Sequence, residues 1–136
     1  MRAIWIAIQS GLATIGSAAA TFLGGWDGIV FALIIFVAVD YLTGVIRAAY
    51  EKKLASRICW RGAVKKAMTF VIVGVGHTID AHIIGGGTFV RDAVILFFIG
   101  SEGISLLENA AVIGLPLPPK LKAILAQLHE REDEPK

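Results

Sequence analysis

Apolar residues gather into four long runs along this chain, separated by short polar, glycine-rich or proline-rich breaks. Ala3 to Trp26 contains no charged residue, and further runs extend from Ile29 to Ala48, Val64 to Ile84 and Ala93 to Gly114. A helix needs about 20 predominantly apolar residues to cross a bilayer's hydrocarbon core. The pattern therefore predicts an all-α integral membrane protein with four spans, at about 3–23, 29–48, 64–84 and 93–114. Residues 1–119 would form the transmembrane domain, and 120–136 a cytoplasmic amphipathic helix with a charged tail.

The breaks fit this reading. Gly24-Gly25-Trp26-Asp27-Gly28 is a turn in which Asp27 can cap the second helix and Trp26 can anchor at the outer interface. So short a connection predicts that the first two helices pack as an antiparallel hairpin. Gly85-Gly86-Gly87-Thr88 ends the third helix, and Pro116, Pro118 and Pro119 end the fourth. Pro119 suits the first turn of a last helix, where Leu121, Ile124, Leu125 and Leu128 make an apolar stripe. Lys120 and Lys122 beside it suit an anionic inner leaflet. The tail Glu130–Lys136 is expected to be charged and mobile. The basic start and the small residues Ser17 to Ala20 also allow the first run to be a cleavable signal peptide, which leaves downstream sidedness unchanged.

Composition agrees: 56% of the 136 residues are hydrophobic, 18% are charged, and the mean hydropathy is +0.72. A soluble domain carries about 25% charged residues. The single cysteine, Cys59, excludes an intrachain disulfide. The charge distribution says more than the net +2. Arg47, Lys52, Lys53, Arg57, Arg61, Lys65 and Lys66 crowd between the second and third runs against one acid, Glu51. Dense Lys and Arg mark a cytoplasmic loop. With both termini also inside, 12 of the 13 Lys and Arg fall on the inner side and only Arg91 outside. Lys52, Lys53, Arg57, Arg61, Lys65 and Lys66 are read as topology-setting and lipid-facing, with Lys65 and Lys66 snorkelling to the headgroups.

Each helix also carries a polar face. On the first, Ser10, Thr14, Ser17 and Thr21 align, and Gly16, Ala20 and Gly24 leave room for another backbone, within the chain or from a second copy. On the second, Asp40, Thr43 and Arg47 share a side. Asp40 would pair with Arg47 or face a partner helix. On the third, Thr69, His77 and Asp80 stand out beside Gly76, with a His77–Asp80 pair as a structural reading. On the fourth, Glu102, Ser105 and Asn109 share a face, with Glu108 nearby. Asp40, Thr43, Arg47, His77, Asp80, Glu102, Ser105, Glu108 and Asn109 are the candidate pore-lining or helix-interface positions.

The acids carry the functional signal. A central carboxylate costs about 2.5–3.5 kcal/mol on insertion scales, and each Leu, Ile, Phe or Val returns about 0.3–0.6. Eleven such residues between Ala93 and Gly114 return about 3–7 kcal/mol against about 5–7 for Glu102 and Glu108. The fourth helix is thus marginal alone in lipid. It needs a polar partner, a wet cavity, protonation, or a shallow position for Glu108.

Other chemistry has less support. His77 and His82 fall on different helix faces, which disfavours a metal site. Glu108-Asn109-Ala110 is similar over a few residues to small bacterial diacylglycerol kinases, but no glycine-rich phosphate loop accompanies it. A basic loop beside a bilayer binds anionic lipid more simply than nucleic acid.

Five stretches together resemble a known family. They are Asp40-Tyr41-Leu42-Thr43-Gly44, Tyr50-Glu51-Lys52-Lys53-Leu54-Ala55-Ser56, Gly62-Ala63-Val64-Lys65-Lys66, Glu102-Gly103-Ile104-Ser105-Leu106-Leu107-Glu108-Asn109 and Gly114-Leu115-Pro116-Leu117-Pro118. In this order and spacing, from Gly24 to Leu121, the chain resembles the phage-lysis and toxin-secretion holins of Gram-positive bacteria. The resemblance implies a protein of the bacterial cytoplasmic membrane that self-associates and opens lesions at a set time. It implies a homo-oligomer, an antiholin as a candidate partner, and endolysin, toxin or particles as cargo. It implies neither catalysis nor a cofactor. Two other readings stay open beside it: an ion or proton transporter using the acids and His77, and a non-conducting scaffold recruiting a partner through Leu121–Leu128.

Overall fold

The computed structural model describes residues 1–132, and side chains as far as Gln127. The described residues form helices and connecting turns, with no strand. They are α1 (Arg2–Leu23), α2 (Gly28–Tyr50), α3 (Ser56–Ile79, continuing as a wider π turn over Asp80–Ile84), α4 (Phe89–Ile113) and α5 (Pro119–Glu132). Three helical segments, Arg2–Leu23, Gly28–Tyr50 and Ser56–Ile84, are long and apolar enough to cross a membrane.

The local chemistry accounts for the ends. Asp27 caps α2 by accepting a hydrogen bond from the Val30 amide at 3.1 Å. Gly24, Gly85 and Gly114 follow α1, the π turn and α4 with φ of 81°, 89° and 93°, a left-handed close that glycine adopts without strain. α3 begins eight residues before the apolar run that marked it. Arg57, Arg61, Lys65 and Lys66 therefore lie on its first turns, and the basic loop shrinks to 51–55. The helical backbone satisfies its own polar groups, so α3 can start in the headgroup region ahead of its apolar stretch. At the other end, α5 runs on to Glu132, through the first part of the expected mobile tail. The rest of that tail, 133–136, lies outside the described residues.

The core is small and held by three helices. Val30, Leu33 and Val37 from α2 meet Val73 from α3 and Ile95 from α4, with Leu23 at the end of α1. α2 packs chiefly on α4, and α3 on α4. The expected α1–α2 hairpin is corrected here: α1 packs on α3, and among its residues only Leu23 is buried. Glycines on both sides explain the choice. Gly74 of α3 leaves the space that the Phe22 ring occupies, and a side chain there would collide with it. At Gly24 an added Cβ would stand 2.6 Å from His77 Nδ1. Most of the rest of α1 is exposed, although the Trp26 indole folds back from the turn and donates to the Gly16 carbonyl at 3.1 Å. A Cβ at Gly16 would meet nothing within 4 Å, and Thr14 and Thr21 bond to the Ser10 and Ser17 carbonyls of their own helix. At the other end of the chain, α5 folds back and buries Leu125, while Ile124 stays exposed. The Leu128 side chain lies outside the described residues.

Candidate functional site

Polar side chains converge at two levels, labelled outer and inner by the sidedness expected from the charge distribution. The outer level lies where α1 turns into α2 and α4 begins. Arg91, in the first turns of α4, is fully buried. Its Nε donates to the Leu23 carbonyl at 2.6 Å, Nη1 to Asp27 at 2.7 Å and Asp92 at 2.9 Å, and Nη2 to the Gly25 carbonyl at 3.4 Å. One guanidinium thus binds the end of α1, the turn and the start of α2. The hydrogen bond from Arg91 holds the Asp27 carboxyl below its ordinary range, against the opposing effect of partial burial. The same hydrogen bond from the other side raises the Arg91 guanidinium. Asp80 completes this level. Its two carboxylate oxygens accept the Val90 and Arg91 amides at 3.0 and 2.9 Å, satisfying donors that the first turn of α4 leaves free.

The expected His77–Asp80 pair is therefore corrected: Asp80 is saturated by the start of α4, which the glycine-rich turn brings over it. His77 packs on Gly24, and its buried Nδ1 has no hydrogen-bond partner. His82 is exposed on the π turn, apart from both. Among the described residues no group of three His, Cys, Asp or Glu side chains is placed to hold a metal ion.

The inner level runs from the middle of α2, α3 and α4 toward their opposite ends. Lys66 Nζ stands 2.6 Å from Asp40 and also bonds to Glu102, so two carboxylates from α2 and α4 share one ammonium from α3. Asp40 is buried at 5% exposure and Glu102 at 8%. Asn109 extends the group. Its Nδ2 donates to Asp40 at 3.0 Å and to the Thr43 hydroxyl at 3.2 Å, and its Oδ1 accepts from Arg47 at 3.4 Å. Asp40, Thr43, Arg47, Glu102 and Asn109 are thus brought together, and Ser105 and Glu108 lie beside them on a cleft of about 770 Å³ between α3 and α4.

Two expectations change at this level. Arg47 does not pair with Asp40. It sits two turns along the same helix, where Glu51 at 3.7 Å and Asn109 take it up. Lys66 is not lipid-facing. It turns inward because two buried carboxylates would otherwise stand uncompensated. Lys52, Lys53, Arg57, Arg61 and Lys65 are exposed, with Lys53 near Glu51 at 3.7 Å.

A family model for the bacteriophage holin family matches residues 17–130, which include both polar levels. The chain belongs to the bacteriophage holin family. Among its relatives, a protein described as a probable holin of Bacillus phage phi105 is 36% identical over 102 residues, covering 75% of this chain and 73% of that protein. An uncharacterized 14.9 kDa protein from the nagH 3′ region of Clostridium perfringens is 38% identical over 125 residues, covering 92% and 95%. YqxH of Bacillus subtilis is 36% identical over 104 residues, covering 76% and 74%. No solved structure matches the chain. Holins are membrane-permeabilising, non-enzymatic proteins, and three apolar helices agree with a membrane protein.

Sequence reasoning missed two residues of this holin's polar levels. Arg91 counted only as the lone outer cation. An Arg-Asp pair between a glycine-rich turn and an apolar run was the available signal, since a charge at a span's end with Asp27 in the facing turn invites pairing. Lys66 was assigned with its basic neighbours. The signal against that was the excess of acids over bases inside the spans.

Proposed function

We propose that this holin assembles with copies of itself in the bacterial cytoplasmic membrane and opens lesions that pass endolysin, toxin or particles. In this reading α4 is a fourth span, both termini are cytoplasmic, and the inner level faces the cytoplasm. The observation that carries it is the pair of carboxylates on one ammonium beside a polar cleft. Lys66 supplies the polar partner that makes α4 tolerable in lipid, and the cleft supplies water contact for Glu108. Such an arrangement is held by a small balance of large terms. It is suited to a two-state element in which helix packing gives way to a wetted, assembled state. Asp40, Glu102 and Glu108 lie within the field across the membrane, so depolarisation or protonation biases that balance. The unpartnered length of α1 supplies a surface for self-association, and an antiholin is a partner for the same surface.

The test is induction of the protein alone in bacteria, following membrane potential and leakage of a cytosolic enzyme together. Delayed, abrupt depolarisation with enzyme release is expected. Depolarisation with the enzyme retained would favour the second reading, a small-ion or proton pathway, for which the cleft is the specific observation. Absence of both effects would favour a non-conducting scaffold. That reading is weakened by α5, whose Leu125 is already used against the bundle.

A further inference from the structure

Gln9 is out of place on a helix that meets only lipid. α1 runs from Arg2 to Leu23, and Gln9 stands about 10 Å along it from Arg2, at 1.5 Å per residue. That depth is well inside a hydrocarbon core about 30 Å thick. Nothing in the chain meets the side chain there, because α1 packs on α3 by its far end and Gln9 is exposed. The side-chain hydrogen bonds along α1 are those of Thr14 and Thr21 to their own helix and of the Trp26 indole to the Gly16 carbonyl. Gln9 makes none among the described residues. An amide without partners in hydrocarbon is costly, since no water replaces the missing bonds. Gln9, Ala13, Gly16 and Ala20 follow at spacings of four, three and four, so the amide heads a stripe of small residues on one face. Trp26, bonded at Gly16, closes the outer end of that stripe and leaves its inner half, around Gln9 and Ala13, open.

We infer that Gln9 pairs with Gln9 of a second copy of this chain, α1 against α1, parallel and across a twofold axis normal to the membrane. The chemistry of the group selects this partner. A primary amide carries an acceptor oxygen and two N–H donors, so two such side chains can exchange hydrogen bonds reciprocally. Copies inserted in the same sense hold their Gln9 side chains at the same depth, as a twofold contact requires. A lipid tail offers neither donor nor acceptor, and a different protein would need a polar side chain of its own at that depth. The small residues beside the amide let the two backbones approach, and interhelical amide bonds hold such pairs in lipid. The inference rests on the proposed self-assembly, with α1 as a span, and deepens it by naming the surface and its symmetry. A twofold contact closes at two copies, so α1 supplies a dimer and not a ring. Growth beyond the dimer must use a second surface.

The experiment is oxidative crosslinking of the full chain in membranes of bacteria producing it, in a Cys59→Ser background with one new cysteine on α1. Ala13→Cys, on the Gln9 face, is expected to give a crosslinked dimer. Gly11→Cys, on the opposite face at similar depth, is expected to give little. Adding Gln9→Leu should lower the Ala13→Cys crosslink by about threefold or more, the effect that interhelical polar contacts carry. Gln9→Asn, which keeps the amide, should retain most of it. Gln9 is exposed and bonds to nothing among the described residues, so thermal unfolding of the monomer in detergent should be unmoved by Gln9→Leu. That reading separates a lost contact from a folding defect. Equal crosslinking at both positions, a crosslink unmoved by Gln9→Leu, or a product whose mass is not that of two copies would overturn the pairing. Leakage of a cytosolic enzyme is read separately. Lesions that open without the crosslink would overturn this contact and leave the holin reading standing, and a Gln9-dependent crosslink without lesions would do the reverse.

Discussion

The outer and inner polar levels use the same materials to different ends. At the outer level Arg91 is fully buried and donates to two carbonyls and two carboxylates. Asp80 there is satisfied by two backbone amides. At the inner level one ammonium serves two carboxylates, a third carboxylate stands nearby, and a cleft of about 770 Å³ opens beside them. A buried cation whose nitrogens are all taken up is a staple. An incomplete network with space is an element that can change state, because its alternatives are closer in energy. The outer level lies at the start of α4 and the inner one from its middle to its last turns, so one helix carries both the fixed joint and the adjustable one.

Substitutions break or sharpen this contrast. Arg91→Met is expected to act most strongly, lowering stability by about 3–5 kcal/mol through loss of every outer contact, read as thermal unfolding in detergent. Lys66→Met is expected to cost about 3 kcal/mol at most, because cleft water tempers the unpaired carboxylates. The double variant Lys66→Met/Glu102→Gln is expected to recover part of that loss. If Lys66→Met were as damaging as Arg91→Met and beyond rescue, the inner level would also be a staple. Acid titration comes next. Because Arg91 depresses the Asp27 carboxyl, its contribution is present above the ordinary aspartate range and is lost as pH falls through the depressed value. The Asp27 contribution should therefore be constant near neutrality and be lost only below about pH 4, and Asp27→Asn should remove that acid step. The smallest effect is expected for Gly16→Ala, within about 0.5 kcal/mol of the wild-type monomer, since an added Cβ meets nothing there. A change in crosslinked oligomers with unchanged monomer stability would make that stripe an assembly surface.

Much of this was legible from residue pattern. The apolar runs, the Asp27 cap, the glycine and proline breaks and the shared faces of Asp40 with Thr43 and of Glu102 with Asn109 all follow from spacing along one helix. What spacing does not contain is which helix lies beside which. The α1–α2 connection is short, yet Phe22 on Gly74 and His77 on Gly24 draw α1 to α3. The same limit hid Lys66 and Arg91, whose partners lie 36 and 64 residues away in the chain. A lysine next to Lys65 reads as one more interfacial cation until Asp40 and Glu102 are seen to need it. Asp80 reads as a partner for His77, three residues before it, until the Gly85–Gly87 turn folds α4 over it.

The most direct measurement is the onset of depolarisation and enzyme release in single cells producing Glu102→Gln, at a membrane level matched to wild type. Removing one of the two charges that share Lys66 should displace the onset beyond the cell-to-cell spread of the wild-type protein while the protein still folds and inserts. An onset and an oligomer distribution identical to wild type would contradict the account, and would reduce the inner level to a second structural joint.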